Sequence, residues 1–292
     1  NSYAVTKHVH WIKANLKKVL TQIIFALIPT ILIIIDNNVI NIISGLILAI
    51  SIIYNIPRGK SKIKFKVTNR VKRMFITELI LVFLSMIING LQSYTLLKLG
   101  ILNIIAFIMC MVANTINKPI EKYIQKRFIN QAKKIINDMP NLLVIGVTGS
   151  YGKTSVKNYL AKTLSTKYEV LATPKNYNTT MGVVKTIREN LKPTHQIFIC
   201  EMGATKTGDI KEICDIVNPK IGIITAIGPQ HLETFKTMEN IMKTKFELAD
   251  KVKENGGKVF LNFNNEYLAK KKHEDNEILY GIENPNIDYN AY

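Results

Sequence analysis

Lys153 and Thr154 close a stretch, Val144-Ile145-Gly146-Val147-Thr148-Gly149-Ser150-Tyr151-Gly152-Lys153-Thr154-Ser155, whose residue types suit the holding of a polyphosphate. The apolar run from Leu142 to Val147 predicts a buried strand, and Val156, Leu160 and Leu164 predict a helix opening at Lys153. A Gly-containing turn between strand and helix aims backbone N–H groups and the positive helix end at an anion. Gly149 and Gly152 let the backbone approach closely. Lys153 is placed to reach β/γ-phosphates and Thr154 to ligate Mg²⁺. The candidate nucleotide-binding residues are therefore Thr148, Gly149, Ser150, Gly152, Lys153, Thr154 and Ser155. The strict P-loop has Gly where this chain has Val147, so the loop is a variant. A chance Gly-Lys-Thr in a solvated turn is disfavoured by the strand before it and the helix after it.

Three further residues have metal or charge chemistry. Glu201 follows the apolar run Ile197-Phe198-Ile199-Cys200, which puts its carboxylate at a strand end, where an acidic group can hold Mg²⁺ directly or through water. His231 follows a predicted strand over Ile221–Ile227 in a Gly-Pro turn; a lone His is more often structural than a ligand. Lys245 lies on a predicted helix over 238–254, beside Lys243, where a solvated lysine is an equally good reading.

Thr-Gly-Ser-x-Gly-Lys-Thr resembles the ATP loop of the Mur ligase family, ATP-dependent amide-forming enzymes of peptidoglycan assembly. The resemblance continues through Glu201-Met202-Gly203-Ala204, Gly228-Pro229-Gln230-His231-Leu232-Glu233 and Lys243-Thr244-Lys245-Phe246-Glu247, in the family's order and at about its spacing. It covers residues 140 to 270, under half of the chain. It implies ATP and Mg²⁺ as cofactors and a metal set of Thr154, Glu201 and His231. It also implies that Lys245 is carbamylated by CO₂, and that Lys153, Lys245 and His231 are catalytic. Asn176-Tyr177-Asn178-Thr179-Thr180-Met181-Gly182 resembles the loop that faces the nucleotide-sugar, which makes Asn178, Thr179 and Thr180 candidate substrate residues, although Thr179 could equally be a helix N-cap. Asn262-Phe263-Asn264-Asn265 stands where relatives carry Asn-x-Asp-Asp, so a charge-dependent role does not carry over.

The implied reaction is amide formation through an acyl phosphate. Within the family the motifs look most like the branch that adds D-alanyl-D-alanine to UDP-N-acetylmuramoyl-tripeptide. Those two molecules are the expected substrates, with a cell-wall synthesis complex as a further expected partner. A membrane ligase of the poly-γ-glutamate type and a non-catalytic nucleotide-binding scaffold are the alternatives. The usual UDP-gripping amino-terminal domain is not recognisable. The chain also starts at Asn1 rather than Met and stops at Tyr292, before the family's adenine-contacting segment and carboxyl-terminal domain. A fragment inactive alone is the expectation.

The net charge of +18 suits nucleic acid or an anionic surface. No nucleic-acid module accompanies it, and no nucleic-acid partner is expected. The three cysteines, Cys110, Cys200 and Cys214, lie far apart, which argues against a disulfide framework or a zinc site.

Apolar residues concentrate in four runs: Val19–Ile35, Val39–Ile56, Met74–Leu91 and Leu99–Ile116. Their lengths predict four transmembrane helices in two hairpins. Basic residues before the first run, between the second and third, and after the fourth predict cytoplasmic termini. The expected organisation is a membrane anchor over 1–117, a basic amphipathic linker helix over 118–140 that either lies on membrane lipid or is a plain connection, and an ATP-binding domain over 141–292. The expected localisation is the bacterial cell membrane, multi-pass, with the catalytic domain in the cytoplasm. From Asn141 onward, strand and helix signals alternate. That order predicts a doubly wound P-loop-type α/β domain with a mostly parallel sheet, whose ligands sit at the carboxyl ends of the strands.

Overall fold

The structure, a computed structural model, describes residues 12–32, 37–55, 67–88, 95–230, 232–271, 273–283 and 287–291. It divides into two compact units, Asn1–Tyr123 and Ile124–Tyr292.

The first unit is helical: α1 (Leu16–Leu32), α2 (Asn38–Asn55), α3 (Asn69–Ile88) and the first part of α4 (Thr95–Asn137). Polar contacts join α3 to α4. Arg73 donates to the Glu121 carboxylate through Nε at 2.9 Å, and Asn117 donates to the Thr77 hydroxyl at 2.8 Å. Among the described residues no helix is long and apolar enough to cross a membrane. This finding overturns the four expected spans and the multi-pass membrane localisation. Polar and charged residues interrupt or flank the apolar runs. Helix α1 has Pro29 inside it. Helix α2 begins and ends on Asn and has Asn41 in its first turn. Helix α3 contains Arg70, Lys72, Arg73 and Glu78, and α4 turns basic well before its end.

The second unit holds a sheet of seven strands: β1 (Leu143–Thr148), β2 (Val170–Ala172), β3 (Ile197–Glu201), β4 (Ile221–Ile224), β5 (Lys258–Asn262), β6 (Glu277–Ile282) and β7 (Tyr289–Ala291). Their order is β2-β3-β1-β4-β5-β6-β7, and every pairing is parallel. The intervening helices are α5 (Lys153–Leu164), α6 (Thr180–Asn190), α7 (Asp209–Val217), α8 (Leu232–Phe235), α9 (Met238–Glu254) and α10 (Glu266–Ala269). The mostly parallel α/β domain expected from the alternation is present. Strand β4 stops at Ile224, short of the expected Ile227, because the residues after it turn to hold the phosphate loop.

Two apolar clusters flank the sheet. Ile145, Val147, Ile197, Ile199 and Ile223 face α5 through Val156, Leu160 and Leu164. On the other side Val144, Phe198, Cys200 and Ile224 pack with residues of α6, α7 and α9, and with Ala132 and Ile136 from the end of α4. Helix α9 lies so close to β1 that a Cβ on Gly146 would stand 2.6 Å from Leu248 Cδ1. That closeness brings the buried face of α9, Ile241, Thr244, Lys245 and Leu248, over the middle of the sheet.

Candidate functional site

Strand β1 lies between β3 and β4, so chain from both neighbours meets the loop that leaves its carboxyl end. Gly149 takes φ +148°, and a Cβ there would overlap the Thr225 hydroxyl. Ser150 N–H donates to Ala226 O at 2.6 Å, the Ser150 hydroxyl donates to Gly228 O at 3.0 Å, and Gly228 N–H donates back to it at 3.1 Å. The Thr225 hydroxyl reaches Tyr151 O at 2.5 Å and Thr148 O at 3.1 Å. Thr148 donates to Met202 O at 3.0 Å, which ties the loop to β3 as well. The exposed Tyr151 ring lies over Gly228 and leaves no room for a Cβ there.

At Gly152, φ +79°, the loop becomes α5 with no side chain capping the helix. Three other helices meet a side chain at their starts: Thr179 caps α6 by accepting from Gly182 N–H, Thr237 caps α9, and Glu247 accepts from Gly208 and Lys211 N–H at the start of α7. The first-turn donors of α5 are thus presented for an anion. Lys153 Nζ folds over the loop and donates to Gly149 O at 2.7 Å and Ser150 O at 3.1 Å. Burial lowers its pKa, opposed by the charge of Glu201. Ser155, also a candidate, is exposed on the first turn.

Below the loop stands Glu201, 1% exposed. The Thr154 hydroxyl lies 3.1 Å from both its carboxylate oxygens. Asn178 Nδ2 donates to Oε1 at 3.1 Å, and Lys157 Nζ meets Oε2 at 3.0 Å. Gly203 is glycine because Asn178 occupies the space its Cβ would need, and Gly203 N–H donates to Asn178 O at 2.7 Å. Of the expected metal set, Thr154 and Glu201 come together. His231 lies outside the described residues, and among the described residues no three His, Cys, Asp or Glu side chains form a metal-holding group.

Lys245 is 4% exposed, not solvated. Its pKa is lowered to about 8, chiefly by burial and then by the positive charge of Lys153, with Glu247 and Asp209 acting in the opposite direction. Of the three expected substrate residues only Asn178 reaches Glu201. Thr179 is occupied as an N-cap, and Thr180 donates to Glu212 at 2.7 Å.

Sequence reasoning missed Lys157 and Thr225, and at Asn265 saw only an asparagine where relatives carry an acid. Lys157 had a signal: it falls one turn after Lys153, on a helix whose neighbouring positions Val156 and Leu160 point inward. Thr225 acts through backbone contacts that leave no motif.

The Mur ligase middle domain matches residues 147–292. The chain belongs to the Mur ligase family. Among its relatives are UDP-N-acetylmuramoyl-tripeptide–D-alanyl-D-alanine ligases. That of Mycobacterium leprae is 37% identical over 115 residues, 39% of this chain and 22% of the relative. That of Synechocystis sp. is 42% identical over 105 residues, 36% of this chain and 23% of the relative. The matched stretch is thus about a quarter of the relatives' own length. Among solved structures, MurF of Thermotoga maritima in complex with ADP is 33% identical with a TM-score of 0.49, over 54% of this chain and 36% of that one.

Proposed function

We propose that this Mur ligase chain carries the ATP-handling core of an enzyme that joins D-alanyl-D-alanine to UDP-N-acetylmuramoyl-tripeptide in peptidoglycan precursor synthesis. The observation that carries this reading is the Thr154 hydroxyl set against the buried Glu201 carboxylate, directly beneath a glycine loop and an uncapped helix start. ATP and Mg²⁺ are the cofactors of Mur ligases, and ATP supplies the phosphoryl group that activates the substrate carboxylate. The donor set fits them. A hydroxyl and a carboxylate are the hard oxygen ligands that Mg²⁺ takes alongside phosphate and water, and backbone N–H groups with Lys153 suit the phosphates.

Each residue has a role in that reading. Lys153 leaves the loop carbonyls to face the β/γ-phosphates and offset charge as the phosphoryl group moves. Thr154 and Glu201 bind the metal, and His231 is the further ligand by resemblance. Lys245, with its pKa near 8, is about one-tenth neutral amine at pH 7, far more than an ordinary lysine. Carbamylation needs that neutral form, and it would turn a buried cation beside Lys153 into a favourable anion. Asn178 lies at the junction with the nucleotide-sugar loop; Thr179 and Thr180 shape that loop's entry into α6.

Titration of a Mg·ATP analogue into the protein tests the loop assignment, and Lys153→Ala is expected to weaken binding at least tenfold. For the reaction, phosphate release by the full-length protein should require both UDP-N-acetylmuramoyl-tripeptide and D-alanyl-D-alanine. Release with a glutamate acceptor in place of the dipeptide would overturn the substrate assignment.

A further inference from the structure

Lys157 is a buried cation that none of the roles above uses. It is 2% exposed, and its ammonium meets two partners: Glu201 Oε2 at 3.0 Å and the backbone carbonyl of Lys175 at 2.9 Å. Lys175 itself sits at φ +48°, in the left-handed region that a residue with a side chain adopts at a cost. Such a conformation persists where surrounding contacts impose it. Here the contact is the Lys157 ammonium, which holds the Lys175 carbonyl inward. The following turn is held as well, with Tyr177 N–H donating to Pro174 O at 3.0 Å and Asn178 donating to the other oxygen of Glu201.

We infer that Lys157 is a positioning residue: it ties the 174–178 loop to Glu201, so that the nucleotide-sugar is presented at a fixed place relative to the phosphate site. The inference rests on the proposed function for the identity of the molecule the loop meets, but not for the tether itself. An ammonium is well suited to this place, because one group neutralises a buried carboxylate and still has donors left for a carbonyl. The tether spans three segments: α5, the loop after β2, and the end of β3. Methionine at 157 would fill similar space with neither charge nor donor.

Two measurements on the full-length protein test this. In Lys157→Met, hydrogen exchange of the Tyr177 and Asn178 amides should rise at least tenfold, while amides of β1 keep their parental rates. The KM for UDP-N-acetylmuramoyl-tripeptide should rise at least tenfold, with kcat changed much less. Lys157→Arg, which keeps charge and donors, should recover part of both. If Lys157→Met fails to fold because Glu201 is left without a counter-charge, the pair Lys157→Met with Glu201→Gln removes both charges, and the loop amides should still exchange fast. Parental protection of those amides in either folded variant overturns the tether. Fast exchange with an unchanged KM upholds the tether and instead overturns the proposed contact between loop and nucleotide-sugar.

Discussion

The Asn265 side chain pairs with the backbone of Ile227 in both directions, Nδ2 donating to the carbonyl at 3.0 Å and Oδ1 accepting from the N–H at 3.2 Å. Asn264 does the same to Ile282, at 3.1 and 2.7 Å, and Asn262 donates to Thr225 O at 3.0 Å. These asparagines are therefore braces, and the brace on Ile227 and Thr225 reaches the chain that holds Ser150.

Asn265→Asp keeps the shape and the acceptor but removes the donor to Ile227. It should destabilise the protein by about 1–2 kcal/mol, the cost of leaving a part-buried carbonyl unpaired beside a carboxylate. Urea denaturation of parent and variant measures it, and equal midpoints would refute the brace.

Gly149→Ala should abolish nucleotide binding. Its φ of +148° and the overlap with the Thr225 hydroxyl demand a backbone shift in the loop. Calorimetric titration with a Mg·ATP analogue checks this, and retained affinity would mean that the loop does not carry the phosphates.

Glu201→Ala leaves Lys157 as a buried charge without its partner. A loss of about 3–5 kcal/mol is expected, as for other broken buried pairs. Thr154→Val, in contrast, removes a neutral donor to that carboxylate while Lys157 keeps its charge paired, and should cost only about 1–2 kcal/mol while weakening the Mg²⁺ dependence of nucleotide binding. Comparing denaturation curves with Mg²⁺ titrations separates the two.

Lys245 makes stability depend on pH. Its folded pKa of about 8 lies below its ordinary value of 10.5, so the folded state sheds this proton first. The unfolded chain then binds more protons between pH 8 and 10.5, and this term makes stability rise with pH across that window, by up to about 3 kcal/mol in all. Below pH 8 the penalty of a buried cation is fully present. Lys245→Met should remove the rise and be more stable than the parent at pH 7, as followed by urea denaturation at several pH values.

The same residue should take up CO₂. With ¹³C-bicarbonate, the parent is expected to show a carbamate signal that grows as pH rises toward 8 and is lost in Lys245→Ala. A parent without that signal would leave Lys245 as a plain cation.

How legible the site was depended on how local its signals are. Strand, turn and helix around Lys153 are contiguous, and Glu201 ends an apolar run, so both could be placed from sequence. On its residues alone Lys245 is as readily solvated as functional, and only the family resemblance favours the functional reading, because its burial comes from the packing of α9 on β1, which a periodic pattern with Lys243 beside it does not reveal. Thr225 and Asn265 work through backbone atoms of residues far along the chain. Strand β7, three residues after an Asn-Pro-Asn stretch, was too short to announce itself. The apolar runs of the first half misled: their lengths and the basic residues flanking them suggest bilayer spans, while Arg70, Lys72, Arg73 and Glu78 share a helix with the third run.

The bond between Ser150 and Gly228 joins residues 78 positions apart. During synthesis at about 5–20 residues per second, the loop leaves the ribosome roughly 4–16 seconds before the chain that supports it. Its neighbours β3 and β4 must also dock on β1 from opposite sides, each after a long crossover, which is the slow kind of contact. The phosphate cradle is therefore among the last parts to take shape, and ATP can steady the finished domain but cannot nucleate it.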